Sequence, residues 1–277
     1  MKKYLSFVKF EHTLFSLPLV AAGAMLAAGG VPDVRIAALI VAAAAGARTA
    51  AMAVNRIVDA AVDAANPRTA GREIPAGKIS RGEAYAVTGA GLAVYFGAAY
   101  MICPFVFLLS PFPVAVFSAY PYMKRITPLC HLGVGFALAL APAGGWLAVR
   151  CAADEIFAPL MLGLFTLLWV SGFDVIYSTA DEDFDRANGL HSAAVSLGAR
   201  GARRVSAALH AGAAIPLAAL QILEFGGNMF SLAALAAVCA VLAAESRAAD
   251  NIGFAFFKLN AVCGALVLVF ILCGIYL

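Results

Sequence analysis

Two groups of aspartates stand at the ends of otherwise apolar segments. The first reads Asn55-Arg-Ile-Val-Asp59-Ala-Ala-Val-Asp63, the second Asp174-Val-Ile-Tyr177-Ser-Thr-Ala-Asp181-Glu-Asp-Phe-Asp185. Carboxylates beside hydrocarbon need a cation, a water-filled path or a chemical task. The i, i+4, i+8 spacing puts Asn55, Asp59 and Asp63 on one face of a helix. Asp174, Asp181 and Asp185, spaced by seven and four, fall within roughly 40° of one direction at about 100° per residue. Each group is therefore expected to form a one-sided carboxylate ladder at a membrane edge. Ordinary interfacial acids would explain one such pair; two at helical spacing, with Asn55 and Tyr177 on or near the same faces, point to chemistry. Mg²⁺ takes few carboxylates and completes its shell with water and phosphate oxygens. Two ladders facing each other would hold a diphosphate through Mg²⁺, with Asp59, Asp63, Asp181 and Asp185 as the metal ligands.

Basic residues supply the rest of an anion site. Arg68, Arg72, Lys78, Lys124, Arg125 and His191 all fall in the loops expected around the ladders. Arginine forks and lysine point charges are the usual partners of phosphate. Lys78, Arg81 and the Arg200, Arg203, Arg204 group read better as topology charges. Lys124 and Arg125 sit in an aromatic turn, Tyr120-Pro-Tyr-Met-Lys-Arg, and read as substrate contacts. Arg48 lies two turns before Asn55 on the same face, inside a span, where an ionisable residue is a functional candidate. Its partner is either Asp174 or a carboxylate on a substrate. His131 and His210 read as packing residues, and His12 is open between an interfacial and a catalytic role.

The elements that must position these groups are membrane helices. The chain is 63% hydrophobic and 13% charged, with mean hydropathy +0.91, whereas soluble domains carry about 25% charged residues. Nine spans are expected, near 14–30, 34–54, 84–102, 104–121, 129–149, 156–177, 205–223, 229–244 and 254–277. The class is all-α, a polytopic membrane protein of one domain over 1–277 in contact with the lipid bilayer; no nucleic-acid partner is expected. With the N-terminus cytoplasmic, sixteen Lys and Arg fall inside, and Arg35 and Arg150 outside. That bias follows the positive-inside rule and puts both aspartate groups on the cytoplasmic side of a bacterial inner membrane. The six cysteines form no CxxC pair and read as small apolar residues. A transporter is the competing class, but its acids would be expected near the bilayer midplane.

Together these residues resemble the UbiA superfamily of intramembrane aromatic prenyltransferases. Its NxxxDxxxD motif is matched by Asn55, Asp59 and Asp63, and its DxxYxxxDxxxD motif by Asp174, Tyr177, Asp181 and Asp185. Arg68-Thr-Ala-Gly-Arg72-Glu-Ile-Pro75-Ala-Gly77 matches the segment that follows the first motif, and Tyr120-Pro-Tyr-Met-Lys124-Arg125 a third. The resemblance covers about residues 10–200. It implies nine helices around a central cavity, Mg²⁺ on the two motifs, and a polyprenyl diphosphate donor. It further implies an aromatic ring acceptor. Phe10-Glu11-His12-Thr13 and Gly189-Leu-His191-Ser192 depart from many 4-hydroxybenzoate enzymes. They are similar to the branch containing the menaquinone enzyme of the futalosine route, whose acceptor is 1,4-dihydroxy-6-naphthoate. The alternative acceptor is 4-hydroxybenzoate.

Topology tests this reading directly. Reporter fusions after Arg81, Lys124 and Arg204 are expected to report cytoplasmic, and fusions near Asp154 and Gly227 external. A cytoplasmic signal near Asp154 would overturn the nine-span arrangement.

Overall fold

A computed structural model describes residues 2–9, 13–248 and 258–277. Phe10, Glu11 and His12 lie outside these residues. Among the described residues every regular element is a helix. The order is α1 (Lys2–Phe7), α2 (Thr13–Ala28), α3 (Val34–Ala65), α4 (Arg81–Ile102), α5 (Pro104–Leu109) and α6 (Pro111–Met123). There follow α7 (Cys130–Arg150), α8 (Phe157–Ser178), a 3₁₀ turn (Thr179–Asp181) and α9 (Glu182–Ala187). The chain then forms α10 (Ala193–Leu223), α11 (Met229–Arg247) and α12 (Asn260–Tyr276).

Among the described residues, seven stretches are long and apolar enough to cross a membrane, counting Pro104–Met123 and Phe157–Ala187 as one each; Ser16–Ala28 and Asn260–Tyr276 are shorter apolar helices. The expected count of nine includes those two. The bounds differ more instructively than the count. The span was placed at 34–54, and α3 runs on to Ala65, as the helical spacing of Asn55, Asp59 and Asp63 requires. Asp33 starts it, accepting hydrogen bonds from the Arg35 and Ile36 amides. Its 32 residues rise about 48 Å at about 1.5 Å each, well beyond a hydrocarbon core of about 30 Å. The surplus turns carry Asp59 and Asp63 out of the apolar layer.

The second ladder is not one continuous helix. α8 stops at Ser178, and a 3₁₀ turn precedes α9, so the angular estimate for Asp174, Asp181 and Asp185 does not hold. The seventh span, expected from 205, begins at Ala193, because the helix bends at Gly198 (φ 68°) rather than ending there. φ in that region favours a residue without Cβ.

α8 is the axis of the core. Phe165 and Trp169 on it are fully buried and stacked, with centroids 5.4 Å apart, and they pack with Leu217, Val238, Val267 and Phe270 of the later helices. The aspartate-bearing α3 packs on α4 through glycine. A Cβ at Gly46 would strike the Gly91 carbonyl and the Tyr95 backbone, a close approach of the kind small residues permit in lipid.

The cysteine expectation is corrected at one pair: Cys103 and Cys151 form a disulfide. Cys103 lies between α4 and α5, in extended backbone before Pro104, and Cys151 caps α7. Neither position carries a local signal, because the pairing depends on where two helices end. Both lie at the helix ends remote from Arg81 and His131. A cross-link over 48 residues stabilises by about 2–4 kcal/mol. Replacing Cys103 and Cys151 together by Ser is therefore expected to lower the thermal midpoint in detergent by several degrees. Peptide mapping without reduction should recover the linked pair, and free thiol at both positions in freshly extracted protein would contradict the bond.

Candidate active site

The bundle encloses a cavity of about 710 Å³, inside the range of about 300–1,000 Å³ common for small-molecule sites. Its polar end lies where α3, the 66–80 segment, the turn after α6 and the α8–α9 junction meet. Among the described residues, all those singled out as a possible site line it except Arg125, which reaches it through Asp59.

On α3, Asn55 Nδ2 donates weakly to Asp59 Oδ2 (3.4 Å). Asp59 and Asp63 are each only 4% exposed, and each is met by a cation from another segment. Lys124 Nζ stands 2.7 Å from Asp59 Oδ2, and Arg125 Nη2 stands 3.5 Å from Oδ1. Arg125 also donates to the carbonyls of Pro121 (3.1 Å) and Val58 (3.0 Å) and lies over the Tyr122 ring. That explains the aromatic turn: it holds the guanidinium against the end of α3. Arg72 Nη1 reaches both oxygens of Asp63, at 2.7 and 2.9 Å. Thr69 Oγ1 donates to the Asp63 carbonyl (3.1 Å) and so satisfies one of the acceptors that a helix end leaves open.

Arg68 crosses from this segment to the second cluster. It grips Asp181 with Nε (2.7 Å) and Nη2, donates through Nη1 to the Tyr177 hydroxyl (2.6 Å), and stacks over the Tyr177 ring. Asn66 Nδ2 donates to the same Asp181 at 2.9 Å. Burial works against the charge on Arg68, but the Asp181 carboxylate and Tyr177 outweigh it and hold the guanidinium above its ordinary pKa. Nearby, burial pushes the Glu73 carboxyl up. The Ser6 hydroxyl (2.6 Å), with Arg56 and Lys9, outweighs it and leaves the group below its usual range. This contact fastens α1 to the loop. Asp185, on α9, lines the cavity beside Asp181, and its carboxylate has no hydrogen-bond partner among the described residues.

Two expectations change. Asp174 pairs with His131 (Nδ1 to Oδ2, 2.7 Å) and not with Arg48. The Arg48 Nε is buried without a hydrogen-bond partner, and the residue faces the cavity among Met52, Tyr120, Val134, Leu138, Val170 and Phe173. This is the apolar end. His131, read as a packing residue, belongs to the site. Arg56, one of the sixteen basic residues placed on the cytoplasmic side and not singled out for the site, is 5% exposed inside α3 and lines the cavity. Asn66 was missed as well. Asn66 falls three residues beyond Asp63, and no spacing distinguishes it from a turn residue.

The carboxylates are hard oxygen donors, the kind Mg²⁺ prefers. Among the described residues no three His, Cys, Asp or Glu side chains form a metal group by themselves. Mg²⁺ commonly takes only one or two carboxylates and further oxygens from a phosphate. The donor set thus suits a divalent cation held jointly with an anionic ligand.

A helical bundle with paired acidic motifs at the polar end of an apolar cavity defines an intramembrane enzyme-like site. Residues 16–262 match the UbiA prenyltransferase family, and the chain belongs to it. It is 31% identical over 205 residues to the 4-hydroxybenzoate octaprenyltransferase of Photobacterium profundum, covering 71% of this chain and 69% of that one. It is 32% identical over 174 residues to the Idiomarina loihiensis protein of the same name, and there the match spans 63% of this chain and 61% of the relative. Among solved structures, the apo structure of a UbiA homologue from Aeropyrum pernix K1 is similar at TM-score 0.86 and 35% identity, covering 93% of this chain and 95% of that one. A UbiA homologue from Archaeoglobus fulgidus bound to GPP and Mg²⁺ shares the fold at TM-score 0.71 and 18% identity, covering 99% and 100%.

Proposed function

We propose that this protein transfers a polyprenyl group from a polyprenyl diphosphate to an aromatic ring, with Mg²⁺ as cofactor. The observation that carries the reading is the meeting of two carboxylate clusters and their cations at one end of a cavity whose other end is apolar. The names of the Photobacterium and Idiomarina relatives support it, as does the GPP and Mg²⁺ bound by the Archaeoglobus homologue.

Arg68, Arg72, Lys124 and Arg125 place positive charge where negative charge builds as the C1–O bond of the donor breaks, the arrangement that stabilises a transition state without reorganisation. Mg²⁺ held by Asp59, Asp63, Asp181 and Asp185 would neutralise the diphosphate leaving group. Met52, Val134, Leu138, Val170 and Phe173 keep water from the allylic cation. A ring carbon of the acceptor then attacks C1, and a cavity carboxylate or the released diphosphate takes the ring proton. The site faces the cytoplasm of the bacterial inner membrane in this reading. The Cys103–Cys151 bond at the opposite helix ends supports that sidedness, since disulfides persist on the oxidising side of such a membrane.

Asp59→Ala, Asp63→Ala, Asp181→Ala and Asp185→Ala are each expected to lower turnover roughly 10²–10³-fold, the loss typical of one charge-stabilising contact. Near-parental activity of both purified Asp63→Ala and Asp181→Ala at saturating Mg²⁺ would overturn the diphosphate site.

The acceptor is a hydroxylated aromatic carboxylate whose carboxylate pairs with Arg48. The Arg48 Nε, buried and without a partner, is the group left over for it, and a desolvated arginine–carboxylate pair is strong and directional. Of two acceptors with this chemistry we assign 1,4-dihydroxy-6-naphthoate, on the Gly189-Leu-His191-Ser192 resemblance. The relatives named for 4-hydroxybenzoate favour the second. Arg48→Ala is expected to raise the acceptor KM or abolish transfer, with donor affinity kept. Membranes given a polyprenyl diphosphate and each acceptor separately decide between the two: prenylated 4-hydroxybenzoate with no naphthoate product would overturn our assignment.

A further inference from the structure

His131 opens α7 and faces the α8 carboxylate of Asp174 across the cavity wall. Both of its ring nitrogens are engaged. The backbone N–H of Ala193, at the start of α10, donates to Nε2 at 3.1 Å. A nitrogen that accepts carries no proton, so the ring proton sits on Nδ1, which donates to Asp174 Oδ2 at 2.7 Å. The ring cannot flip without losing both bonds. Its backbone is held as well, since Ser171 Oγ on α8 donates to the His131 carbonyl at 3.1 Å. The loop that delivers Ala193 is latched to the same corner. The His191 N–H donates to the Lys124 carbonyl at 2.7 Å, and Cys130 Sγ to the His191 carbonyl.

The two ends of this relay differ in exposure. The His131 side chain is 7% exposed and that of Asp174 25%, and Asp174 lines the cavity. Asp174 Oδ1 has no hydrogen-bond partner among the described residues. One oxygen is therefore pinned, and the other is left to the cavity, at the junction between the charged end and the apolar end with Phe173 and Val170.

We propose that His131 is a positioning residue: it fixes the rotamer of Asp174 so that Oδ1 is presented to the acceptor, and it does not itself exchange a proton. The inference rests on the prenyl-transfer reading above. In that reaction the new C–C bond forms as the C1–O pair leaves on the diphosphate, and the ring carbon then carries one hydrogen too many. Asp174 Oδ1 takes that proton, and the C–H pair returns to the ring. His131 Nδ1 already holds its proton and the Nε2 lone pair is occupied, so neither nitrogen can substitute for Oδ1.

The two hydrogen bonds can be separated by substitution. His131→Asn places an amide N–H near the Nδ1 position and keeps the donor to Asp174, while giving up the Ala193 contact. His131→Gln places an amide oxygen near Nε2, keeping the Ala193 contact and losing the donor. The expected result is kcat within a few-fold of the parent for His131→Asn and a fall of roughly 10²-fold for His131→Gln, the scale of a reacting group misplaced by about 1 Å. The KM for the polyprenyl diphosphate should stay unchanged in both, because other residues hold that end. Thermal midpoints should run the opposite way, with His131→Gln the more stable variant. If kcat follows thermal stability instead, or both variants keep parental kcat, His131 is only a helix-end contact and the proposal falls. A stable parent that transfers no prenyl group to either acceptor overturns the prenyl-transfer reading itself and this inference with it.

Discussion

Carboxylates at the rim of an apolar bundle persist only against positive charge, and the course of the loops follows from that constraint. Asp59, Asp63 and Asp181 each take an ion-pair partner from another segment. Asp59 on α3 is met by Lys124 and Arg125 from the turn after α6, and Asp63 by Arg72 from the segment after α3. Asp181, beyond α8, is met by Arg68 from that same segment. The pairs therefore tie three separate helix ends into one polar floor. Removing one member would leave a shielded charge alone, which is far costlier than never having buried the pair.

Under the proposed function these pairs are also the resting form of the reacting site. An arriving diphosphate would offer oxygens to the same cations, and Asp59, Asp63 and Asp181, released from them, would be placed to hold Mg²⁺. Such an exchange of partners would need little movement of the protein's own groups. Arg68 shows how the geometry is kept. Its fork lies on Asp181 and its face on Tyr177, an orientation that a lysine could not reproduce.

The first acidic motif was legible because a helix repeats its face every three to four residues, and Asn55, Asp59 and Asp63 declare that period. The second was legible in composition but not in shape. Nothing in Ser178-Thr-Ala-Asp181 distinguishes a 3₁₀ turn from more α-helix, since the turn is set by how the chain docks on Asn66 and Arg68. His131 and the Cys103–Cys151 bond escaped for a common reason: each depends on a partner far away in the chain, and periodicity reports only on near neighbours.

What holds the two acidic clusters at a working separation is the apolar half of the molecule. α8 presents Phe165 and Trp169 to the later helices on one side and Asp174 to the cavity on the other, so its position is set by packing that has no part in the chemistry. α7 is wedged against it with almost no clearance. A Cβ at Gly135 would strike Ser171 Oγ and the Leu167 carbonyl, and Ser171 is the residue whose hydroxyl binds the His131 carbonyl. The glycine therefore does more than allow two helices to touch. It sets the distance at which the imidazole on α7 meets the carboxylate on α8, and any side chain there would separate the pair before it disturbed either group directly.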